Sequence, residues 1–408
     1  MRLKRRRNIL DLHLWILAAM LSFTAESGQA ASLFSLNFIG ERAEAAGARV
    51  IALGGATQII PDSLGVLQFN PAMLTFCRKV TIGATQVIAV DKGRSNTISE
   101  REVSVYYPVF VGAFPLHKRI TFSIGYRGRS DPDGSFSIPG IAEGGDSYRQ
   151  VFEKSGGLYA VPITLALSVT RYISIAGTYT LEKGSIEDRW TILFDDPTKF
   201  PSAGRKRIEM DASGFGAGIV LFPGGPVMVG AAYESEIEYD AEVKERFSQS
   251  ALDTNYTATI KLPQRYSVAG TFRITPAWHV LASYAAADFK DFSGLGFRQD
   301  RLYQEESYAF GAEYTRGLPL FGKRFPIRFS FNYQRLPYDF PGGQRIRKIL
   351  FGLGTGLNLA GGKAKMDIAL RIGKAGSLSK NTIEDRLVRF YISVTGSEIW
   401  KRKRHEDS

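Results

Sequence analysis

A period of two constrains this chain more than any other feature of its sequence. From about residue 79 to the end, apolar side chains alternate with polar or small ones. Successive side chains of a β-strand point to opposite faces, so each such run presents one apolar and one polar face. In RITFSIGYR, Ile120, Phe122, Ile124 and Tyr126 share one side, and Thr121, Ser123, Gly125 and Arg127 share the other. The same pattern recurs in Ile163/Leu165/Leu167/Val169, Trp278/Val280/Ala282/Tyr284, Ile327/Phe329/Phe331/Tyr333 and Val388/Phe390/Ile392/Val394. Tyr or Trp often ends the apolar file, where an aromatic girdle meets a bilayer interface. No helical period competes over a long stretch.

The connections point the same way. Tight ones (Pro115 to Lys118, Thr170 to Tyr172, Pro223 to Pro226, Thr275 to Ala277, Ala360 to Lys363) alternate with longer polar segments near 130–155, 185–206, 240–256, 291–304 and 374–385. Short periplasmic turns and long external loops are the asymmetry of an outer-membrane barrel. The alternating segments number about fourteen. The fold expected is all-β: a transmembrane antiparallel β-barrel of about 14 strands with an N-terminal plug. A soluble propeller or double sandwich also alternates. It does not require strict turns of short and long loops, and no blade-length repeat is present. The average mean hydropathy of -0.10 is no objection, because the lumenal and lipid-facing halves of each strand cancel.

The N-terminus reads as an address. Arg2, Lys4, Arg5, Arg6 and Arg7 precede a short apolar core, Leu12 to Ala25, and Gly28 and Ala30 suit cleavage after Ala30. Too short to span a bilayer comfortably, this core makes residues 1–30 a signal peptide. No uninterrupted apolar run of spanning length follows, so membrane entry has to be by strands. Residues 31–78 form the plug, or hatch, 79–396 the barrel, and 397–408 a basic periplasmic tail. The location expected is the bacterial outer membrane, crossed many times.

The formal net charge is +12. Five basic and two acidic side chains in residues 1–30 contribute +3, leaving +9, of which Lys401-Arg402-Lys403-Arg404 supplies four. Export argues against nucleic acid as the counter-charge. Outer-membrane lipid head groups and lipopolysaccharide phosphates are the fitting partners. The single cysteine, Cys77, excludes an intrachain disulfide.

Residues 31–78 behave differently from the strands. They are rich in Ala and Gly and carry no spanning alternation. Gly47, Gly54 and Gly55 allow close backbone packing or positive φ, and Asn70 before Pro71 is a turn element held extended by the proline. Gly47-Ala48-Arg49, Leu53-Gly54-Gly55-Ala56, Pro61-Asp62-Ser63 and Phe69-Asn70-Pro71-Ala72 together resemble the N-terminal hatch of the FadL-type long-chain fatty acid and hydrophobic compound transporters. Leu262-Pro263-Gln264, Gly270, Trp278 and Asp288-Phe289 are similar to later strands of that family. The resemblance implies a fourteen-strand barrel with the hatch folded inside. It also implies uptake of long-chain fatty acids or similar hydrophobic small molecules past Gly54, Gly55, Phe69, Asn70, Pro71 and Ala72. The same Asn-Pro-Ala stretch resembles PorV-like barrels, which act as scaffold or shuttle in protein secretion.

An enzyme is not expected. His117 and His279 lie far apart at turns with no nucleophile motif beside them. No metal-ligand spacing or phosphate loop is present, so no catalytic residue, metal or cofactor is assigned. Arg127, on the polar face of its strand, is the candidate partner for a carboxylate. Apolar residues in the long segments (Phe136, Ile138, Pro139, Ile141; Trp190, Ile192, Leu193, Phe194) are candidates for an external capture groove. By face, Phe122→Arg is expected to hinder folding far more than Ser123→Arg.

Overall fold

The computed structural model of the chain describes residues 34, 39–55, 59–95, 99–142, 144–248, 253–290, 292, 302–320, 322–339 and 344–398. The signal segment 1–30 and most of the basic tail lie outside the described residues.

Fourteen antiparallel strands close on themselves. In chain order they are β1 (Val80–Ser95), β2 (Ser99–His117), β3 (Ile120–Asp131, continued by Gly134–Ile141), β4 (Ser147–Ser168) and β5 (Ile173–Phe194). Next come β6 (Ser202–Leu221), β7 (Val227–Glu234, continued by Ile237–Phe247), β8 (Thr254–Leu262, continued by Arg265–Thr275), β9 (Trp278–Asp288) and β10 (Gln304–Leu320). The last four are β11 (Lys323–Arg335), β12 (Arg347–Leu359), β13 (Ala364–Ser377) and β14 (Ile383–Glu398). The two-part strands each bridge one irregularity, Pro132-Asp133, Ser235-Glu236 or Pro263-Gln264. β14 pairs with β1 along its length, from Ile383 opposite Ser95 to Glu398 opposite Val80. Closure leaves no sheet edge within the span, which is what a membrane demands of strands.

The faces sort as the alternation requires. Leu165 (53%), Phe310 (60%) and Leu353 (55%) are exposed, while their neighbours Ala166 (0%) and Ala309 (1%) are buried inside. A wall whose large apolar residues point outward is stable against lipid, not water. Tyr126–Tyr159, Tyr179–Phe215, Tyr233–Tyr266 and Tyr284–Tyr308 make ring contacts on the outer side. Tyr172–Phe222 and Trp278–Tyr314 do so at the short turns. These are the two girdles of an outer-membrane barrel.

Two expectations change. The long polar segments 130–155, 185–206 and 240–256 are largely strand where described, and most of 291–304 lies outside the described residues. β4, β5 and β6 run 22, 22 and 20 residues, against the roughly 9–11 a span needs, so a β-wall continues outside the membrane. Phe136 and Trp190 are therefore strand residues, in ring contact with Phe152 and Phe247 across the ladder. Ile141 and Leu193 stay exposed rather than lining a groove. The segment 374–385 is β13, one helical turn (Leu378–Asn381) and β14.

The second change concerns the lumen. Ser123 is 4% exposed and faces a lumenal chamber, so a charge placed there enters a confined space rather than open water. Phe122 remains the lipid-side reporter, opposite Leu165 and in ring contact with Phe114. Phe122→Arg is expected to cost about 2–4 kcal/mol of insertion energy if it lies at mid-depth. Folding yield into lipid vesicles measures it, and a wild-type yield would refute the face assignment.

Candidate functional site

The residues preceding β1 pack against inward-facing side chains on both sides of the barrel. Glu41–Arg42 form a two-residue strand on β3, opposite Asp131 and Ser130. There the β2–β3 ladder has already ended, at Val109 opposite Arg127, just after Pro108, which has no N–H to donate. Helix α1 (Ala48–Ala52) buries Ala48, Val50, Ile51 and Ala52 against β11 to β14. Gly54 and Gly55 follow at φ 120° and 117°, a backbone that L side chains rarely adopt, and Asn332 Nδ2 donates to the Gly54 carbonyl at 3.0 Å.

On the other side, a 3-10 helix (Pro71–Phe76) packs against β3 to β6. Asn70 caps it, its Oδ1 accepting from the Ala72 N–H at 3.0 Å. Its Nδ2 donates to the carbonyls of Ile219 (3.2 Å) and Ala231 (3.0 Å). Gly218 and Gly230 open the niche, since a Cβ at either would press on Asn70. The structure therefore brings Phe69, Asn70, Pro71 and Ala72 together at the β6–β7 wall, and places Gly54 and Gly55 across the lumen by β11 and β13. Cys77 is buried, which pushes its thiol up to about 12 and leaves it inert.

Two charged constellations hold this arrangement, and alternation alone named none of their members but Arg127. Near the short turns, six charges form a closed ring. Arg49 meets Glu313 and Asp62, both at 2.7 Å. Glu313 meets Arg328 at 2.7 Å, and Arg328 meets Asp367 at 2.8 Å. Lys365 joins Asp367 to Asp62 at 2.9 Å each. Three cations balance three carboxylates, and each is paired twice. Higher up, Arg42 and Arg129 pair with Glu234, Arg129 pairs with Glu182, and Arg265 and Arg42 each lie 5.8 Å over the Phe69 ring. Arg127 donates to the Gln68 carbonyl at 2.6 Å. Two other arginines that alternation places on polar faces do not join this cluster: Arg171 stacks on Tyr172 in a short turn, and Arg273 is exposed.

Two chambers flank this upper cluster. The inner one, about 90 Å³, is lined by Phe69, Pro71, Ser123 and Arg127 among others. The outer one, about 150 Å³, is lined by Gly54, Gly55, Leu158, Phe289, Phe292 and Leu336 among others. Arg42, Arg129, Glu234 and Arg265 border both.

The carboxylates of the N-terminal segment make its anchoring pH-dependent. Burial raises the Glu44 carboxyl, but Arg371, Lys348 and Arg389 outweigh it and hold it down at about 2. Burial is likewise outweighed for Asp62, by Lys365 and Arg49, and for Glu41, by Lys348 and Arg389. Folded values below the unfolded range contribute stability that is present above about pH 4 and lost as pH falls through the folded values. The segment is thus expected to become protease-sensitive between about pH 4 and 2, while the barrel stays heat-modifiable. Unchanged protection of residues 41–77 at pH 2 would contradict this.

Wall, girdles and packed lumen together define an outer-membrane β-barrel. The particular family is BamG: its model matches residues 7–407, and the chain belongs to it. Among solved structures, the chain is similar to a Pseudomonas aeruginosa FadL homologue at 12% identity, covering 88% of this chain and 99% of that one, with a TM-score of 0.60. It is similar to the P. putida toluene transporter TodX at 13% identity, 88% and 100% coverage, and a TM-score of 0.58. For the Ralstonia pickettii toluene transporter TbuX the figures are 13%, 87%, 98% and 0.57. No curated protein matches the sequence. The FadL-type resemblance is thus carried by structure, and at these identities it speaks for the fold, while the family the sequence belongs to carries a different name.

Proposed function

We propose that the barrel passes hydrophobic small molecules across the outer membrane, with the N-terminal segment as its plug and long-chain fatty acids as the particular cargo. The observation that carries this is the outer chamber, the larger of the two, where Leu158, Phe289, Phe292 and Leu336 form an apolar stretch of a wall that also carries charged residues such as Glu41, Glu234 and Lys348. Solved structures similar to it in fold include toluene transporters, which supports an apolar cargo. The charge ring fastens the segment at the short-turn end.

Asn70→Ala with Pro71→Ala removes the cap and both ties to the wall. Labelled-oleate uptake into liposomes is expected to slow, with insertion unchanged. Uptake equal to wild type would defeat the gating role, and wild-type uptake no faster than protein-free liposomes would defeat the transport reading.

One observation favours a second reading, that of a PorV-like scaffold. In the outer β-wall, Gly134–Ile141 and Thr254–Leu262 are each hydrogen-bonded to a strand on one side only among the described residues, an arrangement that accepts an added strand. Thr257→Pro, which blocks such pairing, separates the readings. It leaves oleate uptake intact if passage is the function and impairs delivery of secreted proteins if scaffolding is.

A further inference from the structure

We propose that Arg265, which lines the inner chamber together with Arg127, seats an anionic head group. The lumen then takes an amphiphile whose carboxylate or phosphate oxygens lie against Arg265 and whose apolar body occupies the outer chamber. The inference rests on the reading that the outer chamber admits an apolar molecule, and it adds the chemistry of the other end.

The inner chamber has an imbalance of charge. Its lining holds Arg42, Arg127, Arg129 and Arg265 but only Glu182 and Glu234 as carboxylates. Both carboxylates are taken: Glu234 by Arg42 and Arg129, Glu182 by Arg129 and the Tyr239 hydroxyl. Neither Arg127 nor Arg265 has a carboxylate within ion-pairing distance among the described residues; Glu305, in the outer chamber's lining, acts on Arg265 only from further away. Arg127 spends one N–H on the Gln68 carbonyl, and its Nε has no partner. Arg265 is 9% exposed, and its Nε and Nη1 are buried without a hydrogen-bond partner.

A guanidinium stays protonated when buried, so Arg265 cannot shed its charge. Phe69, whose ring centroid lies 5.8 Å from the Arg265 guanidinium carbon, offers no acceptor oxygen to these donors. Leaving buried guanidinium donors without acceptors in a protein interior is costly. An anion with two acceptor oxygens matches the planar fork and supplies what is missing. Position argues for a tail as well as a head. Arg265 borders both chambers, and the outer one presents Phe289, Phe292 and Leu336.

The test uses the purified full-length barrel in a nonionic detergent, with dodecanoate, dodecyl phosphate, dodecanol and inorganic phosphate as calorimetric probes. The two alkyl anions are expected to bind, and the tighter of them identifies the head group. Dodecanol is expected to bind at least about tenfold more weakly. Arg265→Gln is expected to lower anion affinity about ten- to hundredfold and leave dodecanol unchanged, with Arg265→Lys in between. Equal binding of dodecanol and the anions, or Arg265→Gln binding the anions like wild type, would overturn the proposal. So would inorganic phosphate binding as tightly as dodecyl phosphate. Heat-modifiability checks that the variants fold; if the Gln form does not, the wild-type comparison of anions with dodecanol decides. Failure of all four probes would instead count against the transport reading beneath it.

Discussion

Glu313→Leu is expected to be among the most damaging single substitutions in the lumen, and restoring charge balance is expected to undo much of the damage. Glu313 has a side chain 2% exposed and stands between Arg49 and Arg328, with His279 Nδ1 3.8 Å away. Without it, three cations face two carboxylates in a space with little water. Breaking a buried pair on one side costs about 3–5 kcal/mol, because the surviving charge stays buried. The ladder between strands does not depend on this residue, so the loss is expected as release of the N-terminal segment. Protease sensitivity of residues 41–77 and lowered thermal stability would report it. Adding Arg49→Leu removes the matching cation and leaves Arg328, Asp367, Lys365 and Asp62 as a neutral chain. The double variant is therefore expected to be more stable than Glu313→Leu alone. A double variant that is the sum of the two single losses would show that the ring does not act as a unit.

Deleting residues 31–76 is expected to leave a barrel that inserts normally but leaks. Every spanning strand lies C-terminal to the deletion, and β1 pairs with β14 without help from it. Barrels of eight strands are filled by their own side chains and those of sixteen or more hold water channels. A fourteen-strand barrel lies between, and needs a filler to be closed. Here α1 and the 3-10 helix occupy opposite sides of that space. Liposome swelling with small sugars is expected to rise from background to the rate of an open pore. Swelling that stays at background would remove the plug assignment, and failure to insert would make the segment part of the folding core.

How far the sequence reached can be judged residue by residue. Phe122, Leu165 and Phe310 were readable as outward-facing because their neighbours alternate and strand geometry forces the faces apart. Gly54, Gly55 and Asn70 were readable as backbone devices, since positive φ and a turn before proline are local requirements. The outer β-wall was hidden: polar strand and polar loop look alike when both faces meet water, so 185–206 read as a loop. Arg265 was hidden for another reason. It follows Pro263-Gln264 at an irregularity within β8, where alternation loses its phase.

The sequence by itself determined the number of strands, the lipid-facing file and the special backbone of the N-terminal segment. Each of these follows from side chains acting on their own stretch of backbone. Only the tertiary structure decided which charges meet. Arg49 lies 264 residues from Glu313, and the ring exists because closing fourteen strands brings β10, β11 and β13 to face the N-terminal segment. The same closure set four guanidinium groups around two carboxylates in the inner chamber. Whether a buried charge is balanced depends on partners across the lumen, and no local pattern records them.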